Sequence, residues 1–280
     1  MFRNSKFNTS ISQYPNLANF INLTTTAYMF NGCTGLTFPT TNSSLNLPDQ
    51  IADTSYMFAS SGVVGIDPTS LKNKPRLSST AYMFYNNPNL VTPMNSLSFS
   101  GCYVLSNTSG MFYNSGVEGI VRRNIFSDCK NTLQYVTNMF ANTKIQTVED
   151  GYYDGESETV VGGLLSDCFS LINASGMFSG CHRLCGSIPQ YIFYSSTGDK
   201  YATLTDISYM FAQTSLGRSF EIDDEYYLIH PDMLRSLNNV QSMQGLFNSI
   251  NYTTTDTNKQ RIMSGLHPTT FDGQYNVTNI

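Results

Sequence analysis

The chain has no tryptophan, only three histidines, and charged side chains at 12% of its 280 residues, about half the share of an ordinary globular domain. His182, His230 and His267 stand far apart, and there is no Cys-x-x-Cys, phosphate loop or dinucleotide fingerprint. A catalytic triad needs a nucleophile, a base and an orienting acid brought together, and these scattered groups offer no such set. Long apolar runs are missing too. No window approaches the ~20 apolar residues of a membrane-spanning helix, and residues 1–20 lack the apolar centre of a signal peptide. With a net charge of −5 and no Lys/Arg run beyond Arg122-Arg123, a nucleic-acid partner is not expected. The absences point to a protein that binds rather than catalyses, with no enzyme activity, cofactor or metal.

What the chain does have is repetition. Met-Phe recurs at Met29-Phe30, Met57-Phe58, Met83-Phe84, Met111-Phe112, Met139-Phe140, Met177-Phe178 and Met210-Phe211, with Met1-Phe2 in phase and a decayed copy at Leu246-Phe247. Self-similarity at a spacing of roughly 20–50 residues is the signature of stacked repeats. With Met as position zero, position −4 holds Thr25, Asp53, Ser79, Asn107, Tyr135, Asn173, Asp206 and Ser242, and all but Tyr135 are residues that cap helix starts. Positions −3, 0 and +1 share one side of a helix. Asn and Gly follow soon after, as in Asn31-Gly32, Asn86-Asn87 and Ser179-Gly180, and they tolerate the left-handed backbone that ends one. An apolar pair such as Leu36 and Phe38, or Val63 and Ile66, reads as a short strand. The fold class expected is an α/β repeat: a solenoid of about 8–9 coils, each a short strand plus a short helical turn, forming a single domain over 1–280. Because Asn276–Ile280 returns to the phase of Met1, the chain reads as a segment of a longer protein.

Thr26-Ala-Tyr-Met-Phe-Asn-Gly-Cys33-Thr-Gly-Leu36 and Ser175-Gly-Met-Phe-Ser-Gly-Cys181-His-Arg-Leu184 carry a Met-Phe-x-x-Cys-x-x-Leu pattern in full. It resembles the roughly 26-residue repeat of bacterial surface proteins, a relative of the BspA-type leucine-rich repeats. The resemblance implies a leucine-rich-repeat-like solenoid and an extracellular or cell-surface adhesion module that binds a protein or glycan. Similar repeats occur in large phage proteins, so a virion fibre or decoration component is the alternative.

The neutral, hydroxyl-rich composition suits a secreted, surface or virion protein. Tyr28, Tyr56 and Tyr82 share position −1 and are expected to form a ladder. That ladder either closes the core or offers an aromatic strip to sugars or partner side chains. Insertions near 149–162, 191–201 and 217–228 lengthen three coils. The first and third leave their coils at the same phase and are acidic and Tyr-rich, so Tyr152, Tyr153, Asp154, Asp223, Asp224, Tyr226 and Tyr227 are the candidate partner-binding patch. A basic or hydroxyl-rich partner fits them. Of the six cysteines, Cys33 and Cys181 hold one repeat position. They read as buried free thiols, with Cys129 and Cys168 close enough in phase to allow a disulfide.

Overall fold

The structure is a computed structural model and describes residues 2–6, 8–38, 43–218, 220–222, 225–227 and 230–248. Asn276–Ile280 lie outside them. The chain winds in coils, and each coil lies on the next through a column of parallel one-residue bridges. The column runs Thr25, Asp53, Ser79, Asn107, Tyr135, Asn173, Asp206, Ser242, the −4 position of every repeat.

Backbone hydrogen bonds explain the winding. The N–H groups of Thr26, Tyr28, Phe30 and Gly32 donate across to the carbonyls of Asp53, Ser55, Met57 and Ala59 on the next coil, at 2.8 to 3.0 Å. The intervening Met29, Asn31 and Cys33 donate back three residues within their own coil. Odd and even positions thus split the donors between neighbour and self, and the ribbon leaves few backbone groups unpaired. The pattern returns intact at Thr108, Gly110, Phe112 and Asn114 against Tyr135, Thr137, Met139 and Ala141.

Two left-handed residues per coil set this geometry. Position −1 has positive φ at Tyr28 (60°), Tyr56 (57°), Tyr82 (55°), Gly110 (58°), Asn138 (54°) and Tyr209 (54°). Position +3 has it at Gly32, Ser60, Asn86, Asn114, Asn142 and Gln213. Only three residues fit between them, enough for tight turns and too few for a helix.

The expected α/β repeat with helical turns is therefore overturned. Among the described residues there is no α-helix, only the 3₁₀ turns Met94–Ser96 and Pro231–Met233. The strands lie in separate two-stranded sheets. β1 (Thr9–Ser10) and β2 (Leu36–Thr37) pair in parallel, as do β3 (Glu118–Val121) and β4 (Lys144–Val148). β5 (Tyr152–Asp154) and β6 (Thr159–Val161) form an antiparallel hairpin. β7 (Cys185–Ser187) pairs in parallel with β8 (Ser215–Arg218), and β9 (Phe220–Ile222) with β10 (Glu225–Tyr227) forms a second hairpin. Register slips at Gly119/Ile120 and Gly186/Ser187 keep the parallel pairs short. No helix is long and apolar enough to cross a membrane among the described residues.

The core is a file of rings. Phe2, Phe30, Phe58, Phe84, Phe112, Phe140, Phe178, Phe211 and Phe247 stack with centroids 5.4 to 6.0 Å apart. Position +4 is a second file, buried yet polar: Cys33, Ser61, Asn87, Ser115, Thr143, Cys181 and Thr214. Several of its members reach backbone carbonyls beside the Phe file, whereas the buried hydroxyls of Ser61 and Ser115 have no partner among the described residues. Thr143 and Thr214 donate to the +1 carbonyls of their own coils, and Cys181 donates to Phe140 one coil back. Asn87 does most, donating to Phe58 O at 2.8 Å and accepting from the N–H groups of Ser61 and Gly62. All six cysteines are free, and all but Cys185 are buried. The insertion near 191–201 is partly core rather than loop, because Ile192, Phe193 and Tyr201 are fully buried and Phe193 meets Tyr201 edge-on.

Candidate functional site

Both acidic insertions are hairpins. In the first, β5–β6, Tyr152 and Tyr153 are 48% and 58% exposed. Asp154 is occupied within its own turn: it accepts from Glu156 N at 3.1 Å and from Ser157 Oγ at 2.7 Å. The Ser157 hydroxyl and the Glu156 N–H hold its carboxyl below the usual carboxylate range. At the hairpin's base, burial pushes the Asp150 carboxyl up, against the pull of N–H groups from Tyr191, Gln190 and Gly151. The bonds from Gln190 and Tyr191, 2.6 and 2.9 Å long, tie the hairpin to the following coil. Gly151 lies so close to the Val161 carbonyl and to Tyr191 that a side chain there would collide with both.

The second hairpin, β9–β10, is a separate sheet. Asp223 and Asp224 lie outside the described residues, and of Tyr226 and Tyr227 only the backbone, in β10, is described. The structure thus gives side-chain positions for Tyr152, Tyr153 and Asp154 alone among the seven candidates.

The tyrosine ladder is present. Tyr28 and Tyr56 stack at 4.8 Å, Tyr56 and Tyr82 at 4.9 Å, and the Arg3 guanidinium caps Tyr28 at 4.8 Å. Faces are covered by neighbouring rings, so the ladder shows solvent its edges and hydroxyls. The Tyr82 ring folds over Gly110, which has no side chain to prevent it. Burial, then the neighbouring phenols of Tyr82 and Tyr28, raises the Tyr56 hydroxyl.

The sequence reading passed over a third feature. A polar groove crosses several coils as neighbouring concavities that share lining residues. Its middle chamber, about 410 Å³, is lined by Lys72, Arg122, Arg123 and Glu149 among Ser and Asn side chains. Arg123 pairs with Glu149 at 2.9 Å, and Arg122 reaches the same oxygen at 3.6 Å. Arg123 also lies over the Tyr152 ring at 5.2 Å, which joins the chamber to the first hairpin. The available signal was the dibasic pair Arg122-Arg123, the only Lys/Arg run noted in the chain. Among the described residues no group of three His, Cys, Asp or Glu is placed to hold a metal ion. Comparison of the chain with protein-family models, curated proteins and solved structures found no match to any of them.

Proposed function

We propose that the chain is a non-enzymatic binding and adhesion module that works outside the cell, at a bacterial surface or in secreted form. One observation carries this reading. The first insertion adds a hairpin that the regular coil does not need, and it holds two large aromatics, Tyr152 and Tyr153, about half exposed. Loop closure makes added length a cost in entropy, and Tyr is an effective contact residue because it offers a flat apolar body with a polar tip. The in-phase Met-Phe repeat, similar to that of bacterial surface proteins, supports the same setting. The partner is a protein or glycan, basic or hydroxyl-rich, and its association slows as salt rises.

The test uses Tyr152→Ser/Tyr153→Ser, which leaves the buried core untouched. Labelled protein is applied to a glycan and extracellular-protein array, to intact bacterial cells and to purified phage particles. A tenfold or greater loss of binding at unchanged melting temperature supports the patch. Equal binding by the variant removes it. Retention on phage particles alone moves the function to a virion component.

A further inference from the structure

The chamber between Lys72 and Arg122 is built for charge in a chain that carries little. Three cations and one carboxylate line it, while the whole chain is at −5. Glu149 is taken by the Arg123 pair, and it also accepts the Arg123 backbone N–H at 3.1 Å. Arg122 reaches that carboxylate only at 3.6 Å and keeps its side chain 44% exposed, and Lys72, whose charge acts on Asp67, forms no close ion pair with a described residue. Both present free N–H donors to the groove. The chamber's remaining lining is Ser, Asn and a single apolar side chain, Leu97. A peptide held by its backbone or apolar side chains would call for a strand edge or apolar pockets, and an acidic peptide held by cations alone is the poly-glutamate arm of the test. Hydroxyls and amides instead match a polymer that is itself hydroxylated. The adjoining concavity shares Lys72 with the chamber and adds the hydroxyls and amides of Ser44, Asn46, Ser70 and Asn73, but its Asp49 and Asp67 balance its cations, so the anion's seat is confined to the chamber.

We propose that the groove binds an acidic polysaccharide, with a carboxylate or sulfate group of the sugar chain seated between Lys72 and Arg122. The chamber adjoins the hairpin where Arg123 lies over Tyr152, but the inference does not rest on the tyrosines. Guanidinium–oxyanion hydrogen bonds are charge-assisted and short-range, so Arg122 fixes the anion's position while Lys72 supplies a flexible second charge.

The experiment is calorimetric titration of the full chain with polygalacturonate, dextran sulfate, plain dextran and poly-glutamate. The expected result is binding of at least one acidic polysaccharide tenfold or more tightly than plain dextran or poly-glutamate, weakened as salt is raised. The uronate and sulfate arms show which oxyanion the site takes. Lys72→Gln/Arg122→Gln should lose tenfold or more at unchanged melting temperature. The control Lys144→Gln/Arg183→Gln, which removes two cations outside the groove, should bind as the parent does. Lys72→Gln alone, at an exposed position, should cost threefold or more and serves if the double variant folds poorly. No binding of either acidic polysaccharide, equal binding of dextran or poly-glutamate, or equal losses in the control pair overturns the proposal.

Discussion

Single residues decide how the ribbon turns, and Gly110 shows the constraint most sharply. It sits at φ 58°, and a Cβ there would stand 2.3 Å from the Tyr82 ring. Gly110→Ala should cost about 1–3 kcal/mol, from the left-handed strain plus displacement of the ring. Gly62→Ala, at φ 77° with its nearest atom 3.8 Å away, bears the strain alone and should cost about 1–2 kcal/mol; urea melts of the two variants separate the terms. Asn87, 1% exposed, anchors two N–H groups and the Phe58 carbonyl. Asn87→Ala should cost about 1–3 kcal/mol, because the Ser61 N–H keeps its bond to the Phe58 carbonyl and only the Gly62 N–H loses its sole partner. The sequence reading took Asn86-Asn87 for a helix end, and the left-handed half of that holds, at Asn86. Tyr28, Tyr56 and Tyr82 hid the other left-handed position, since a bulky side chain seldom adopts it. The signal was the alternation of those Tyr with Gly110, Asn138, Gly176 and Gly245 at one repeat position. The buried thiols carry part of the alkaline pH dependence, alongside the hydroxyls of Tyr14 and Tyr201 that burial also raises. Burial raises Cys129 to about 12 and Cys181 to about 11, against about 8.5 in the unfolded chain. Their folded values are the higher, so the stability they contribute is full below pH ~8.5 and is lost as pH rises toward the folded values. Urea midpoints should fall from pH 8.5 to 10.5, and Cys129→Ala/Cys181→Ala should reduce that fall, with Cys102 and Cys168, also raised by burial, sustaining the remainder. Native alkylation at pH 8 should label Cys185 alone.

At the scale of elements, the turn and the ring file depend on one another. The side chains of Asp53, Asn107, Asn173 and Asp206 accept from the N–H two residues on, at 2.8 to 2.9 Å. That bond was legible as capping chemistry, because Asx side chains bond forward to the backbone in turns as well as at helix starts. Helix and double turn could not be told apart from apolar spacing, since both bring −3, 0 and +1 inward. What decides between them is where the N–H groups of Tyr28 and Phe30 point, and they point to another coil. A partner in the next coil is a tertiary fact that local pattern does not carry. The ring file needed no such knowledge: Met-Phe in every repeat placed Phe112 between Phe84 and Phe140, where it lies at 5.5 and 5.6 Å. Phe112→Ala opens a cavity that the rigid neighbouring coils cannot close. It should cost about 3–5 kcal/mol, measured by urea denaturation. A loss under about 1 kcal/mol contradicts the view that the file carries the core. The candidate site was legible to a lesser degree. Charge and aromatic content marked the hairpins, but the groove is assembled from Lys72, Arg122 and Glu149, residues separated in sequence and joined only by coil stacking.

Across the whole molecule, the stack behaves as a one-dimensional object, with each coil holding its neighbours through the same bonds. Stability in such an array is close to a sum of coil terms and nearest-neighbour interfaces. Its working unit is a length of chain that returns to the same phase, and this gives a test no compact globule would pass. Removing residues 83–110 joins Tyr82 to Met111, and every later coil keeps its register because the cut spans one full repeat. Phe58 then meets Phe112, Ser79 takes Tyr135 as its next neighbour in the bridge column, and the polar file runs from Ser61 to Ser115 without Asn87. The shortened protein should fold, with the same far-ultraviolet spectrum per residue, a lower melting temperature and a smaller urea m-value, since less surface is buried. Removing only residues 83–96 deletes half a coil and sets the following Phe rings against the wrong side of the ribbon. That protein should not fold, because the misplaced register leaves inter-coil N–H groups without carbonyls and exposes the apolar file. Circular dichroism and urea melts of the two deletions decide the matter: equal loss of structure in both means that the coils are not independent units and that the contacts between them are longer-ranged than nearest-neighbour.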